Sequence, residues 1–175
     1  MKKHKCIFEA IEAKDIESIK YRLKYTNLNI RNNYGSTILS ELIKNNISEI
    51  AEILIDEGEV DINLRNIDSY NIITKQGTLT LTPLMVACHK GNYKIAKKLI
   101  DKKINLDIQE GLTGWTALML ATESMNVEIV KLLIDSGADI YIKNYNNEMA
   151  IDYIKKRLEM AKKIVEIDNL LTQTN

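Results

Sequence analysis

The sequence predicts an all-α solenoid of about five stacked helix–turn–helix repeats, the two end caps included. Three observations carry that prediction. Residues 82–100 and 116–134 align without gaps at an offset of 34. Each segment holds two short apolar-patterned stretches separated by a polar break. Glycines stand at the breaks: Gly91 after one first stretch, Gly137 after one second stretch. A fixed period of this length marks a repeat array. A single unit of this size cannot bury its own apolar face, so neighbours must stack.

Each unit is justified in the same order. Thr82 and Thr116 precede the first helices, where a threonine hydroxyl caps early backbone N–H groups. Leu84, Val86 and Ala87 recur as Leu118, Leu120 and Ala121, at helical spacing, and the alanines allow close approach. Gly91 ends the first helix, because a left-handed residue is easiest for glycine. The second helices carry Ile95, Ala96, Leu99 and Ile100, or Ile129, Val130, Leu133 and Ile134. Gly137 closes the second of them, and Asp139-Ile140 runs extended into the next turn.

The frame extends both ways. Gly35-Ser36-Thr37-Ile38-Leu39 matches Gly114-Trp115-Thr116-Ala117-Leu118, and residues 49–58 match 128–137. Met149-Ala150-Ile151 falls 33 residues after Thr116. A looser copy occupies the N-terminus. The units are 1–32 (N-terminal cap), 33–66, 67–110, 111–143 and 144–175 (C-terminal cap), all within one domain, 1–175. The C-terminal cap is expected to hold two helices, 149–159 and 160–171, with an apolar stripe opposite a charged face.

One unit is about eleven residues too long. The insertion, about 68–80, is β-branched and aromatic around Lys75-Gln76-Gly77, with Thr78-Leu79-Thr80-Leu81 alternating after it. This predicts an elongated β-hairpin finger.

Composition bounds the function. With 24 Lys plus Arg against 24 Asp plus Glu, the net charge is zero, which excludes a uniformly basic nucleic-acid binder. Two cysteines cannot frame a disulfide scaffold and imply a reducing compartment. No apolar run approaches the roughly 18 residues of a membrane span, and no apolar h-region follows the basic start. Lysine outnumbers arginine 20 to 4, the flavour of an AT-rich genome. Charge is segregated: 41–61 holds seven acids against Lys44, and 90–103 holds six lysines against Asp101. Attraction between neighbouring units explains this, with a patterned docking face as the alternative.

The pattern Gly-x-Thr-Pro/Ala-Leu, then Ala, then Ile-Val-x-x-Leu-Leu, then Gly-Ala-Asp-Ile resembles the ankyrin repeat family over essentially the whole chain. The resemblance implies paired helices, projecting β-turn fingers and a concave surface that binds a protein partner. It also exposes departures. Ser40, Met85, Met119 and Asp152 stand where the family has histidine, so looser fingers are expected. Asn147 replaces the finger glycine, and Lys14 and Asn46 replace the glycine between helices.

The family's variable positions nominate partner-binding residues. They are Asn33, Tyr34, Ser36, Lys44 and Asn45; then Tyr70, Ile72 and Lys75 in the insertion, with Leu81, His89 and Lys90. Leu112, Thr113, Trp115, Glu123 and Ser124 follow, then Tyr145, Asn146, Glu148 and Lys156. Trp115 is either an exposed finger anchor, the residue type that dominates hot spots, or a side chain packed on the adjacent finger.

Chemistry is sparse. His4 and His89 are the only histidines, Cys6 and Cys88 the only thiols. Cys88 belongs in the core of the frame, so neither a zinc site nor a nucleophile–base pair is expected. No phosphate loop, dinucleotide fingerprint or nucleophile elbow is present. The expected function is a non-catalytic protein–protein interaction scaffold: monomeric, cytoplasmic, without cofactor, metal, nucleic acid or membrane. The alternative is a bacterial or viral effector secreted into a host cell by a non-Sec route, binding host proteins with the same surface. A metal-binding or enzymatic role is the remote third.

Overall fold

The computed structural model describes residues 6–65, 73–74, 77–78 and 80–172. Nine helices form among them. They are α1 (Ile7–Glu12), α2 (Ile16–Leu23), α3 (Ile38–Lys44), α4 (Ser48–Glu57), α5 (Pro83–Lys90), α6 (Tyr93–Asp101), α7 (Ala117–Glu123), α8 (Val127–Asp135) and α9 (Ala150–Thr172). They pack in two rows. The inner row is α1, α3, α5, α7 and α9, each against the next. In the outer row, α6 packs on α4 and α8 on α6, and every outer helix also packs on the inner helix before it.

The inner helices start where threonine caps were expected. The hydroxyls of Thr37, Thr82 and Thr116 accept hydrogen bonds from the N–H groups of Ser40, Met85 and Met119. The positions that lack the family's histidine join these caps. Met85 Sδ accepts from the Thr82 N–H at 3.5 Å. Asp152 accepts from the Met149 N–H at 2.8 Å.

The inner helices also end alike. Lys14, Asn46, Gly91 and Met125 have φ of 51°, 59°, 70° and 59°. The next residue reaches back five positions: Asp15 to the carbonyl of Ala10, Ile47 to Leu42, Asn92 to Ala87 and Asn126 to Ala121. This closure satisfies the last helical carbonyls. It explains how Lys, Asn and Met occupy a left-handed site that costs a side-chain-bearing residue about 1–2 kcal/mol.

Between the rows runs one apolar core. Ala10, Ala51, Ala87, Ala96 and Ala121 are fully buried among Ile11, Ile43, Leu54, Leu84, Ile95, Leu120, Ile129 and Leu133. The small residues sit where backbones come closest; the branched ones fill the rest.

One difference from the sequence expectation stands out. The C-terminal cap is one continuous helix of 23 residues rather than two helices. Nothing at its middle supplies the left-handed turn that reverses the chain in the other units. In the insertion, β1 (Ile73–Thr74) and β2 (Gly77–Thr78) pair antiparallel, with Ile73 opposite Thr78 and Thr74 opposite Gly77. The rest of the predicted hairpin lies outside the described residues.

Candidate functional site

Three turns project between outer and inner helices, each organised by one side chain. Asn32 Oδ1 accepts from the N–H groups of Tyr34 and Ser36 at 3.0 and 2.9 Å. Asn144 Oδ1 does the same for Asn146 and Glu148, at 3.0 and 2.9 Å. In the middle turn the buried Glu110 carboxylate takes that place. It accepts from the Leu112 N–H at 2.9 Å, and from the N–H and hydroxyl of Thr113. The flanking strands close each turn: Asn32 N–H to Ser36, Glu110 to Trp115 and Asn144 to Glu148. These bonds hold fingers that lack the family's histidine.

The middle finger is one residue longer. Gly35 and Asn147 close three-residue reaches to the carbonyls of Asn32 and Asn144, whereas Gly114 reaches four back to Glu110. Neighbouring fingers are tied together. Gln109 Nε2 donates to the Gly114 and Lys143 carbonyls at 2.8 and 2.9 Å, and the Tyr145 N–H donates to Thr113 at 2.9 Å.

Along the inner helices a second arrangement repeats. Lys44, His89, Glu123 and Lys156 stand seven residues after Thr37, Thr82, Thr116 and Met149; Asn45, Lys90, Ser124 and Arg157 stand eight after. The seventh residue of one unit faces the eighth of the next. His89 Nδ1 lies 3.2 Å from Ser124 Oγ. Arg157 donates to the Glu123 carbonyl at 2.8 Å and approaches its carboxylate at 3.5 Å. The third such interval sets Lys44 against Lys90; burial pulls the Lys44 ammonium down, Glu41 opposes this, and Lys90 adds a smaller downward push. Lys44 itself donates to Ser36 Oγ at 2.7 Å and to Glu41 at 3.1 Å.

Electrostatics follow this ladder. Burial holds the His89 imidazole below its ordinary value, and Lys90 adds to that while Glu123 opposes it. The Lys156 hydrogen bond, then that of Asn144, holds the Glu148 carboxyl low. Burial and Glu148 push the Tyr153 phenol up.

The nominated residues divide by exposure. Asn33, Tyr34, Lys90, Tyr145, Asn146 and Lys156 are exposed; Lys44, Asn45, His89, Leu112, Thr113, Trp115, Glu123, Ser124 and Glu148 are half-buried. Ser36 and Leu81 are buried and present no surface: Ser36 serves Lys44, and Leu81 joins the core. Trp115 is not an open anchor. Its ring packs edge-on against Tyr153, with centroids 4.9 Å apart. Tyr70, Ile72 and Lys75 lie outside the described residues. The ladder includes Arg157, which a reading of 155–163 as a solvated basic face passes over; its place eight after Met149 was the available signal.

Charge segregation has a structural outlet on the outer row. Lys94 pairs with Glu52 at 2.7 Å, and Lys98 with Asp56, joining α6 to α4. Cys88 is fully buried. No helix among the described residues is long and apolar enough to cross a membrane.

The stacked rows, the finger turns and the period of the ladder all follow one unit, and comparison with known families names it. Residues 66–144 match the family model of ankyrin repeats, in three copies. Residues 66–144 are ankyrin repeats. No curated protein matches the chain. Ankyrin repeats are in general protein–protein interaction modules, and the family is generally non-enzymatic.

Proposed function

We propose that this ankyrin-repeat chain is a non-catalytic scaffold that binds one protein partner along its inner-helix face and finger tips. The observation that carries this reading is the ladder of polar side chains, in register from unit to unit, with hydrogen bonds across two of its three intervals. Fixed side chains lose little rotamer freedom on binding, which lowers the ordering cost of an interface. Tyr34 and Tyr145, 66% and 64% exposed at the finger tips, supply aromatic contact area beside it. The exposed Lys90 on this face favours a partner that places a carboxylate there. In this reading the array comprises five units, 1–32, 33–66, 67–110, 111–143 and 144–175. The insertion near 68–80 forms an elongated hairpin finger at the same edge.

The test is affinity capture from source lysate with three baits: the full chain, a Lys90→Glu/Arg157→Glu variant, and a chain lacking 70–79. The reading expects a partner retained by the full chain and lost by the charge-reversed variant. Loss with the deletion as well places the insertion in the contact. A partner held equally by all three baits would overturn the assignment to this face.

A further inference from the structure

Two exposed cations stand at the same level of the inner face. Lys90 of α5 and Arg157 of α9 each follow the cap of their helix, Thr82 and Met149, by eight residues. Between them lies α7, packed on α5 at one side and on α9 at the other.

Both cations have charge to offer. No ion pair among the described residues uses Lys90. Arg157 leans in towards α7: its Nη2 donates to the Glu123 carbonyl at 2.8 Å and lies 3.5 Å from Glu123 Oε1. A guanidinium carries five N–H donors in a rigid fork. One nitrogen is held by Glu123, which orients the fork and leaves its other edge for a carboxylate, the group a fork binds best.

The neighbouring charges are already engaged. Lys44 is turned in to Ser36 and Glu41, with its side chain only 8% exposed. Lys156 pairs with Glu148. Under the line from Lys90 to Arg157 sits Glu123, its side chain 38% exposed. The face is therefore basic at two points and acidic between them.

We infer that the partner contacts this face with an extended segment carrying two carboxylates, one for Lys90 and one for Arg157, and no acid between them. The inference rests on the partner-binding reading above and adds the chemistry of the partner. Packed helix axes lie about 8–10 Å apart, so α5 and α9 are about 16–20 Å apart. Arg157 leans inward from that limit. An extended chain at about 3.3 Å per residue crosses the gap in about four to six residues. Glu123 repels a carboxylate placed over α7, and such like-charge contacts exclude wrong partners. A uniform polyanion, nucleic acid included, fits this face less well than a segment with two separated acids.

The test is selection from randomised displayed peptides of about 16 residues, long enough to cross all four helices α3, α5, α7 and α9 as extended chain. The full chain is the bait, at low salt. Selected peptides are expected to be enriched in acid pairs about four to six residues apart, without an acid between. A synthetic peptide of that pattern is expected to bind Lys90→Glu/Arg157→Glu at least about tenfold more weakly than the wild-type chain, because like charges then meet. Lys90→Gln/Arg157→Gln, which removes the charges without reversing them, is expected to fall between. The same peptide with lysines for its two acids is expected to prefer the charge-reversed chain. Lys90 and Arg157 are both exposed, so circular dichroism spectra of the variants are expected to match the wild type. Peptides that lack the acid pair yet are lost with Lys90→Glu/Arg157→Glu would overturn this inference and leave the assignment to the face standing. Peptides held equally by the wild-type and charge-reversed chains would sink both. An acid pair whose spacing can be changed without loss of binding would rule out the two-point contact, and a selection that enriches no peptide would count against it as well.

Discussion

The imidazole of His89 and the hydroxyl of Ser124 stand 3.2 Å apart and join α5 to α7 across the inner face. The contact is built on a half-buried histidine whose proton affinity burial depresses, with Lys90 beside it. A depressed folded value has a definite sign. Above the unfolded value of 6.5, both states hold neutral imidazole and the contact is intact. As pH falls below 6.5, the unfolded chain takes up a proton first, so stability declines until the folded histidine titrates as well. Urea unfolding midpoints measured from pH 7 down towards the carboxylate range are expected to fall. His89→Gln is expected to flatten that stretch of the profile. A slope that persists in the variant would assign it to other groups.

Trp115 and Tyr153 form an edge-on pair between the long middle finger and α9. Trp115 therefore contributes to packing, one of the two roles the sequence allowed it. Trp115→Ala is expected to destabilise by more than the roughly 0.5 kcal/mol of an ordinary surface change. A double-mutant cycle with Tyr153→Leu is expected to give a coupling of about 0.5–1.5 kcal/mol, the worth of an aromatic pair beyond its burial. Leu133→Ala supplies the scale: fully buried under α8, it is expected to cost about 2–5 kcal/mol. Additive losses for Trp115 and Tyr153 would show that the rings touch without interacting.

The array itself was legible because its signals are local and repeated. Thr37, Thr82 and Thr116 announce helix starts through one hydroxyl each. The apolar positions of α6 and α8 keep a 3.6-residue rhythm that leaves little choice of face. The continuous α9 was not legible. The two stripes at 149–159 and 160–171 fit two helices as well as one, and only the lack of a turn at Leu158 separates them. The burial of Ser36 also escaped. It sits at a finger position that is variable in character, and its partner, Lys44, is found only once the chain has folded. The middle finger hid its organiser for a simpler reason. Glu110 stands one residue earlier than Asn32 and Asn144 do in their own fingers.

The two thiols are expected to differ sharply. Cys6 is exposed and Cys88 is fully buried on α5. Burial raises the Cys88 thiol above its ordinary value, and the thiolate is the reactive form. A disulfide-exchange reagent near pH 8 is expected to label one thiol per native chain rapidly, and two after denaturation. Rapid labelling of both in the native protein would mean that α5 opens readily.

Gly58 and Gly91 make a controlled pair, because both hold left-handed backbone at a helix end, with φ of 73° and 70°. They differ in surroundings. A Cβ at Gly58 meets nothing within 4 Å, so Gly58→Ala is expected to cost only the backbone strain, about 1–2 kcal/mol. A Cβ at Gly91 would lie 2.7 Å from Asn126 Oδ1. That amide is the one that donates to the Cys88 carbonyl at 2.8 Å. Moving it aside breaks a hydrogen bond between α5 and the turn before α8, worth about 1 kcal/mol. Gly91→Ala is therefore expected to exceed Gly58→Ala by about 1 kcal/mol in urea denaturation. The excess should vanish when Gly91→Ala is made in an Asn126→Ala background, where there is no amide left to displace. Equal losses at the two glycines in the wild-type background would show that Asn126 swings away freely and does not tie the repeats together.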